Sequence, residues 1–126
     1  MNTDEERLND ISGRVIGAAM TVSNTLGAGF LEKVYENALV HELRKSGLRV
    51  EQQRPSVVTY DGVIVGEYAA DMVVESSVIV ELKAVKMVDQ VHVAQCLNYL
   101  KATGMRLCLL LNFGSPRLQV KRIIRD

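Results

Sequence analysis

Residues 71–83 read DMVVESSVIVELK. Two runs of branched aliphatic residues flank Glu75-Ser76-Ser77, so the segment reads as a β-hairpin with the three polar residues as its loop. It carries an acid near each end, Asp71 and Glu81, and a lysine two places after the second. Side chains two apart on a strand share a face, so Glu81 and Lys83 point one way while Val80 and Leu82 point the other. A three-residue loop pairs Val74 with Val78 and puts Asp71 opposite Glu81. A loop of two or four residues would instead set Asp71 against Leu82 and Met72 against Glu81. The first register keeps polar with polar and apolar with apolar, and is the one expected. It puts like charges opposite each other, at a cost of up to ~1 kcal/mol, more if they are desolvated. A cation should therefore sit near them, and two are open: Lys83 itself, on a solvated salt-bridged face, or a divalent metal such as Mg2+ or Mn2+, whose preferred ligands are hard carboxylate oxygens.

Outward from the hairpin, the patterning predicts a helix from Asp4 to about Leu26, with Leu8, Ile11, Val15, Ala19 and Val22 at helical spacing and Gly27 as the stop. After a glycine loop, a second helix starts near Phe30 and ends at Ser46-Gly47. Strands are expected at LRVEQQ, before Pro55, and at SVVTY, before the Asp61-Gly62 turn. VIVGEYAADMVV and VIVELKAV follow as further strands. Residues 89–103 read as a third helix with Asp89 as N-cap and Gly104 as stop, and RLCLLLNF and RLQVKRII as two more strands. The strand, helix, strand run from VIVELKAV to RLCLLLNF predicts a right-handed parallel crossover, which places both strands in the sheet interior. The fold class expected is α/β (α+β): a mixed central sheet flanked by helices, with residues 1–126 as one domain.

The second and third helices add polar residues at helical spacing. In GFLEKVY, residues 29–35, Glu32 and Tyr35 lie three apart; in QCLNY, residues 95–99, Gln95 and Tyr99 lie four apart. Each has a structural explanation as well, in a helix terminus, the core or the surface.

Composition bounds the function. Fifteen basic residues balance fifteen acidic ones, so no global positive field announces a polyanion partner. Cys96 and Cys108 lack CxxC spacing, which indicates neither a disulfide scaffold nor a zinc site. The polar start MNTDEERLND and the short apolar runs point away from a signal peptide and a membrane span, giving a cytoplasmic location as the expectation. GAGFLE follows a helix and lacks the third glycine of a dinucleotide fingerprint. His41 and His92 are isolated.

Asp71 followed by a hairpin and Glu81-Leu82-Lys83 resembles the signature of the PD-(D/E)XK nuclease superfamily, with Ala70 where the name has proline. GFLEKVY is similar to the GxxExxY motif of a small bacterial family within it, and Gln95 to Tyr99 to the QxxxY element of RecB-like members. The resemblance spans nearly the whole chain and implies the restriction-endonuclease-like core. It further implies a metal-dependent nuclease in which Asp71, Glu81 and Glu32 hold Mg2+ or Mn2+, with a backbone oxygen from the Val80–Lys83 stretch, at Leu82. Lys83 would orient or activate the attacking water. Tyr35, Gln95 and Tyr99 would line the site or touch substrate. The expected partner is nucleic acid, DNA before RNA, with a homodimer or partner protein supplying grip and no membrane. The alternative is a catalytically inactive module of the same fold that binds nucleic acid or protein.

Overall fold

The computed structural model describes residues 3–125. The chain runs α1 (Thr3–Leu26), α2 (Glu32–Lys45), β1 (Val50–Tyr60), β2 (Val63–Val74), β3 (Val78–Lys83), α3 (Gln90–Thr103), β4 (Leu107–Asn112) and β5 (Gln119–Ile124). The five strands form one sheet in the order β1-β2-β3-β4-β5. Neighbours are antiparallel except β3 and β4, which are parallel and joined through α3. The sheet is therefore mixed, with the crossover strands inside it.

Alternation along the strands assigns the faces. Met72, Val74, Val78, Val80, Leu82, Leu107, Leu109 and Leu111 pack against α1 and α2 through Val15, Ala19, Tyr35, Leu39 and Leu43. Val73, Ile79, Cys108 and Leu110 pack against Cys96 and Leu100 of α3. β3 and β4 are covered on both sides, which is why VIVELK and LCLLLN are nearly continuous apolar runs. Glu81 and Lys83 thus lie on the α3 side of the sheet.

Helix ends follow local chemistry. Asp89 caps α3, accepting from the Val91 N–H at 2.9 Å, and His92 Nδ1 accepts from the Asp89 N–H at 3.1 Å to complete a capping box. This gives His92 a structural task. Gly104, at φ 74°, closes α3 in the left-handed conformation that lets its N–H reach the Leu100 carbonyl. α2 starts at Glu32, two residues later than the apolar spacing predicts.

One expectation needs correction: LRVEQQ and SVVTY are not two strands but the single strand β1, continuous through Pro55. β1 is an edge strand, where a missing N–H need not break the ladder. The outer half of the β1–β2 ribbon runs beyond the helices, leaving Tyr60, Val63, Ile64 and Val65 exposed.

The segment after β3 is held by Asn112. Fully buried, it accepts through Oδ1 from the Val85 and Gly114 N–H groups and donates through Nδ2 to the Val85 carbonyl and Gln119 Oε1. Asn112→Ala strands these groups in the interior and is expected to cost about 2–4 kcal/mol, read as a shift in urea unfolding midpoint at unchanged slope. A loss below ~1 kcal/mol would show that water replaces the amide.

Candidate active site

Val74 pairs with Val78, Val73 with Ile79 and Met72 with Val80, so the next step of the ladder sets Asp71 against Glu81. Glu75 and Ser76 both adopt positive φ, 53° and 51°, and the Ser77 N–H closes the turn onto the Val74 carbonyl. Beyond Met72 side chains take over from the ladder: Asp71 Oδ2 accepts from the Leu82 N–H at 2.8 Å, and the Asp71 N–H donates to Glu81 Oε1 at 3.3 Å.

Glu81 is 6% exposed. Burial, then the charge of Asp71 and a hydrogen bond between the two carboxyl groups, push its pKa up to about 9. At neutral pH the Glu81 carboxyl therefore keeps its proton. Lys83 does not relieve it: among the described residues the lysine forms no ion pair, and its charge is felt instead at Glu32 and at the Cys96 thiol. Lys83 is therefore not salt-bridged to Asp71 or Glu81, and the hairpin's ion pair is instead at its loop, between Glu75 and Arg49.

Glu32 opens α2 on the opposite layer, yet its carboxyl is raised by burial and then by Asp71, against the opposing pull of Lys83 and the Ala84 backbone. It thus stands near the end of β3, within electrostatic reach of both. It does not complete a metal cage: among the described residues no three His, Cys, Asp or Glu side chains are close enough to hold one ion together. The donor set is two carboxylates, Asp71 and Glu81. That still fits Mg2+ or Mn2+, which bind through one or two carboxylates and keep several waters. Leu82 contributes a backbone N–H to Asp71, and its side chain is fully buried.

Of the residues expected to line the site, Tyr99 is half-buried on α3. It stacks on Tyr68 with ring centroids 4.2 Å apart, and burial followed by the Glu81 charge pushes its pKa up to about 12. Gln95 is exposed on α3 and has no hydrogen-bond partner among the described residues. Tyr35 is buried at 1% exposure: its hydroxyl donates to the Gly27 carbonyl at 2.6 Å, accepts from the Phe30 N–H at 3.1 Å, and its ring stacks on Phe113. It fixes the glycine loop that delivers Glu32.

Sequence reasoning missed Glu36 and Gln53. Glu36, 3% exposed, accepts from Gln52 at 2.6 Å, Lys33 at 2.9 Å and Gln53 at 3.1 Å. Burial alone would raise its pKa, but these donors outweigh it and hold the carboxyl below its ordinary value. Gln53 Nε2 also reaches Asp71 Oδ1 at 3.4 Å, and Gln53 has φ 55°, in the left-handed region a non-glycine residue seldom adopts. The β1–β2 ladder pairs Gln52 with Met72 and Arg54 with Ala70 but skips Gln53 and Asp71. At that break the ribbon turns: Met72 faces α1 and α2, whereas Ala70, two residues away, faces α3. Asp71 thereby meets groups from both layers. Glu36, one turn after Glu32 on the same helix, was the available signal.

Residues 9–123 match the sequence profile of the PD-(D/E)XK nuclease superfamily. Two solved structures share the fold. An alkaline exonuclease (LHK-Exo) from Laribacter hongkongensis superposes with a TM-score of 0.54 at 15% identity, over 75% of this chain and 56% of that one. SSO0001 superposes with a TM-score of 0.56 at 16% identity, over 75% of this chain and 50% of that one. The chain thus spans about half the length of the solved structures it matches. A comparison with curated proteins gives no match. No helix among the described residues is long and apolar enough to cross a membrane. With the matched profile covering all but the ends of the chain, it belongs to the PD-(D/E)XK nuclease superfamily.

Proposed function

We propose that this chain is a metal-dependent nuclease that hydrolyses phosphodiester bonds of nucleic acid, DNA first, as one nuclease-like domain of the GxxExxY type. The observation that carries this reading is the buried Glu81 carboxyl set against Asp71 with no cation paired to either. An arrangement that disfavours charge inside a fold is retained where a ligand relieves it. Mg2+ or Mn2+ bound there would supply positive charge to the reacting phosphate and lower the pKa of water.

The chain's own residues do the rest. Asp71, fixed by the Leu82 N–H, and Glu81 would hold the ion by their carboxylate oxygens. The Lys83 ammonium, unpaired and on the Glu81 face, orients the attacking water and offsets charge building on the phosphoryl oxygens. Glu32, within electrostatic reach of Asp71 and Lys83 from α2, would accept the water's proton. Tyr99, coupled to the Glu81 charge, and Gln95 would line the site from α3. A second copy or a partner protein would add grip to a chain of neutral net charge.

Calorimetric titration with Mn2+ is expected to show binding that disappears in Asp71→Ala and Glu81→Ala. If the wild-type protein takes up neither Mn2+ nor Mg2+ at millimolar concentration, the metal reading is lost. Cleavage is then read on single-stranded, duplex and branched DNA and on RNA, with Mn2+ present. A second reading, the same fold binding without cutting, draws on the exposed apolar ribbon tip, where Asp61 is the one charged residue from 55 to 66. Metal binding without cleavage of any of these substrates would favour it.

A further inference from the structure

The turn of the ribbon at Gln53 swings Arg54, Ser56 and Tyr68 towards α3. There they enclose, with Ala70, Thr103 and Met105, a cavity of about 220 Å3, and Ala70 on its wall is the residue before Asp71 in the chain. Most of its polar groups are spoken for. The Tyr68 hydroxyl donates to the Tyr99 carbonyl at 3.2 Å and is hydrogen-bonded by Ser56, and the Thr103 hydroxyl donates to the same carbonyl at 2.8 Å.

Arg54 is different. Its Nη1 is buried with no hydrogen-bond partner, the one such side-chain atom among the described residues. The nearest carboxylate, that of Glu51, lies 3.7 Å from Nε and is itself more than half exposed. The side chain is 38% exposed and its Nε pairs with Glu51, but Nη1 itself has lost its hydration without gaining an acceptor, and native structures seldom leave such a donor unmet. The planar fork of arginine matches a tetrahedral oxyanion by two parallel hydrogen bonds, and the cavity holds no acid to compete for it.

We propose that Arg54 forms a phosphate-binding subsite in this cavity, occupied by a backbone phosphate of the nucleic-acid strand. The subsite rests on the nuclease reading for the identity of its ligand, but not for its chemistry, because the residues that define it are separate from Glu81 and Lys83. It gives the neutral chain a local cation for the strand on the α3 side of the sheet.

The test uses metal-free wild-type protein, Arg54→Gln and Arg54→Lys, each checked for folding by circular dichroism. Inorganic phosphate is titrated while the Arg54 Nε–H resonance is followed. Binding of a short single-stranded oligonucleotide is then measured from low to moderate salt. The expected results are a saturable shift of Arg54 with phosphate, oligonucleotide affinity about tenfold weaker in Arg54→Gln at low salt, and a salt slope reduced by roughly 0.7, the equivalent of one phosphate contact. Arg54→Lys should keep the slope and lose part of the affinity, since it keeps the charge without the fork. A shift with inorganic phosphate but equal oligonucleotide binding in wild type and Arg54→Gln would make the ligand a free phosphate and overturn the strand assignment. An unmoved Arg54 resonance together with unchanged oligonucleotide affinity overturns the subsite altogether. Phosphate and oligonucleotide binding that depend on Arg54 in a protein unable to cleave would leave the subsite standing and remove the nuclease reading. Cleavage with KM unchanged in Arg54→Gln would do the reverse.

Discussion

Glu81→Gln is expected to lower Mn2+-dependent cleavage by about three orders of magnitude or more, the scale seen when a group stabilising transition-state charge is removed. The substitution changes no volume. It removes the negative charge that would hold the ion next to Asp71, and it leaves Oε1 able to accept from the Asp71 N–H, as Glu81 Oε1 does at 3.3 Å. Lys83→Met should lower kcat by about two to four orders with metal affinity kept, because the ammonium acts on water and phosphate. Single-turnover cleavage and calorimetric metal affinity, measured side by side, separate the two roles. Activity that persists in the double variant Glu81→Gln/Lys83→Met would belong to a contaminant and end the assignment.

The same glutamate governs the second large effect, on stability. Its folded pKa, pushed up to about 9, lies above the ordinary 4.5, so between those values the native protein keeps a proton that the unfolded chain has released. The favourable term is complete below about pH 4.5 and is lost as pH rises towards 9. Metal-free protein should therefore lose on the order of 1 kcal/mol per pH unit from this group alone across that window. Glu81→Gln carries no titrating proton and can donate an amide hydrogen to the Asp71 carboxylate. At pH 8 its Tm should exceed that of wild type by about 10 °C, the shift expected for ~3 kcal/mol in a chain of this size. Mn2+ should raise the wild-type Tm at pH 8 and leave that of Glu81→Gln nearly unmoved, since ligand binding stabilises only the form that binds. Parallel Tm-versus-pH curves for the two proteins from pH 5 to 9 would show that Glu81 titrates normally. A variant that gains stability as it loses activity is the mark of a site whose chemistry strains the fold.

The hairpin at Asp71–Lys83 and the parallel crossover through α3 were legible because they depend on short-range rules: strand alternation, loop parity, Asp89 and Gly104 as caps. Lys83 as an unpaired cation was not, since neutralising an adjacent acid and standing free beside it follow from the same spacing. Glu32 was proposed from its motif, yet its distance from the other acids depends on how α2 docks on the sheet. Pro55 misled because a proline ends a central strand but not an edge strand, and edge position is a property of the whole sheet.

By itself, then, the sequence determined the elements other than an unbroken β1, the register that sets Asp71 beside Glu81, and that Glu81 and Lys83 share one face of β3. The tertiary structure decided what those groups are worth. It buried Glu81, left Lys83 unpaired, and let Gln53, held by Glu36, break the β1–β2 ladder so that Asp71 meets both layers and Arg54 turns towards α3. The physical reason is range. Backbone pairing is fixed by neighbours a few residues apart, whereas burial and charge depend on which distant side chains share a dielectric, and only packing brings those together.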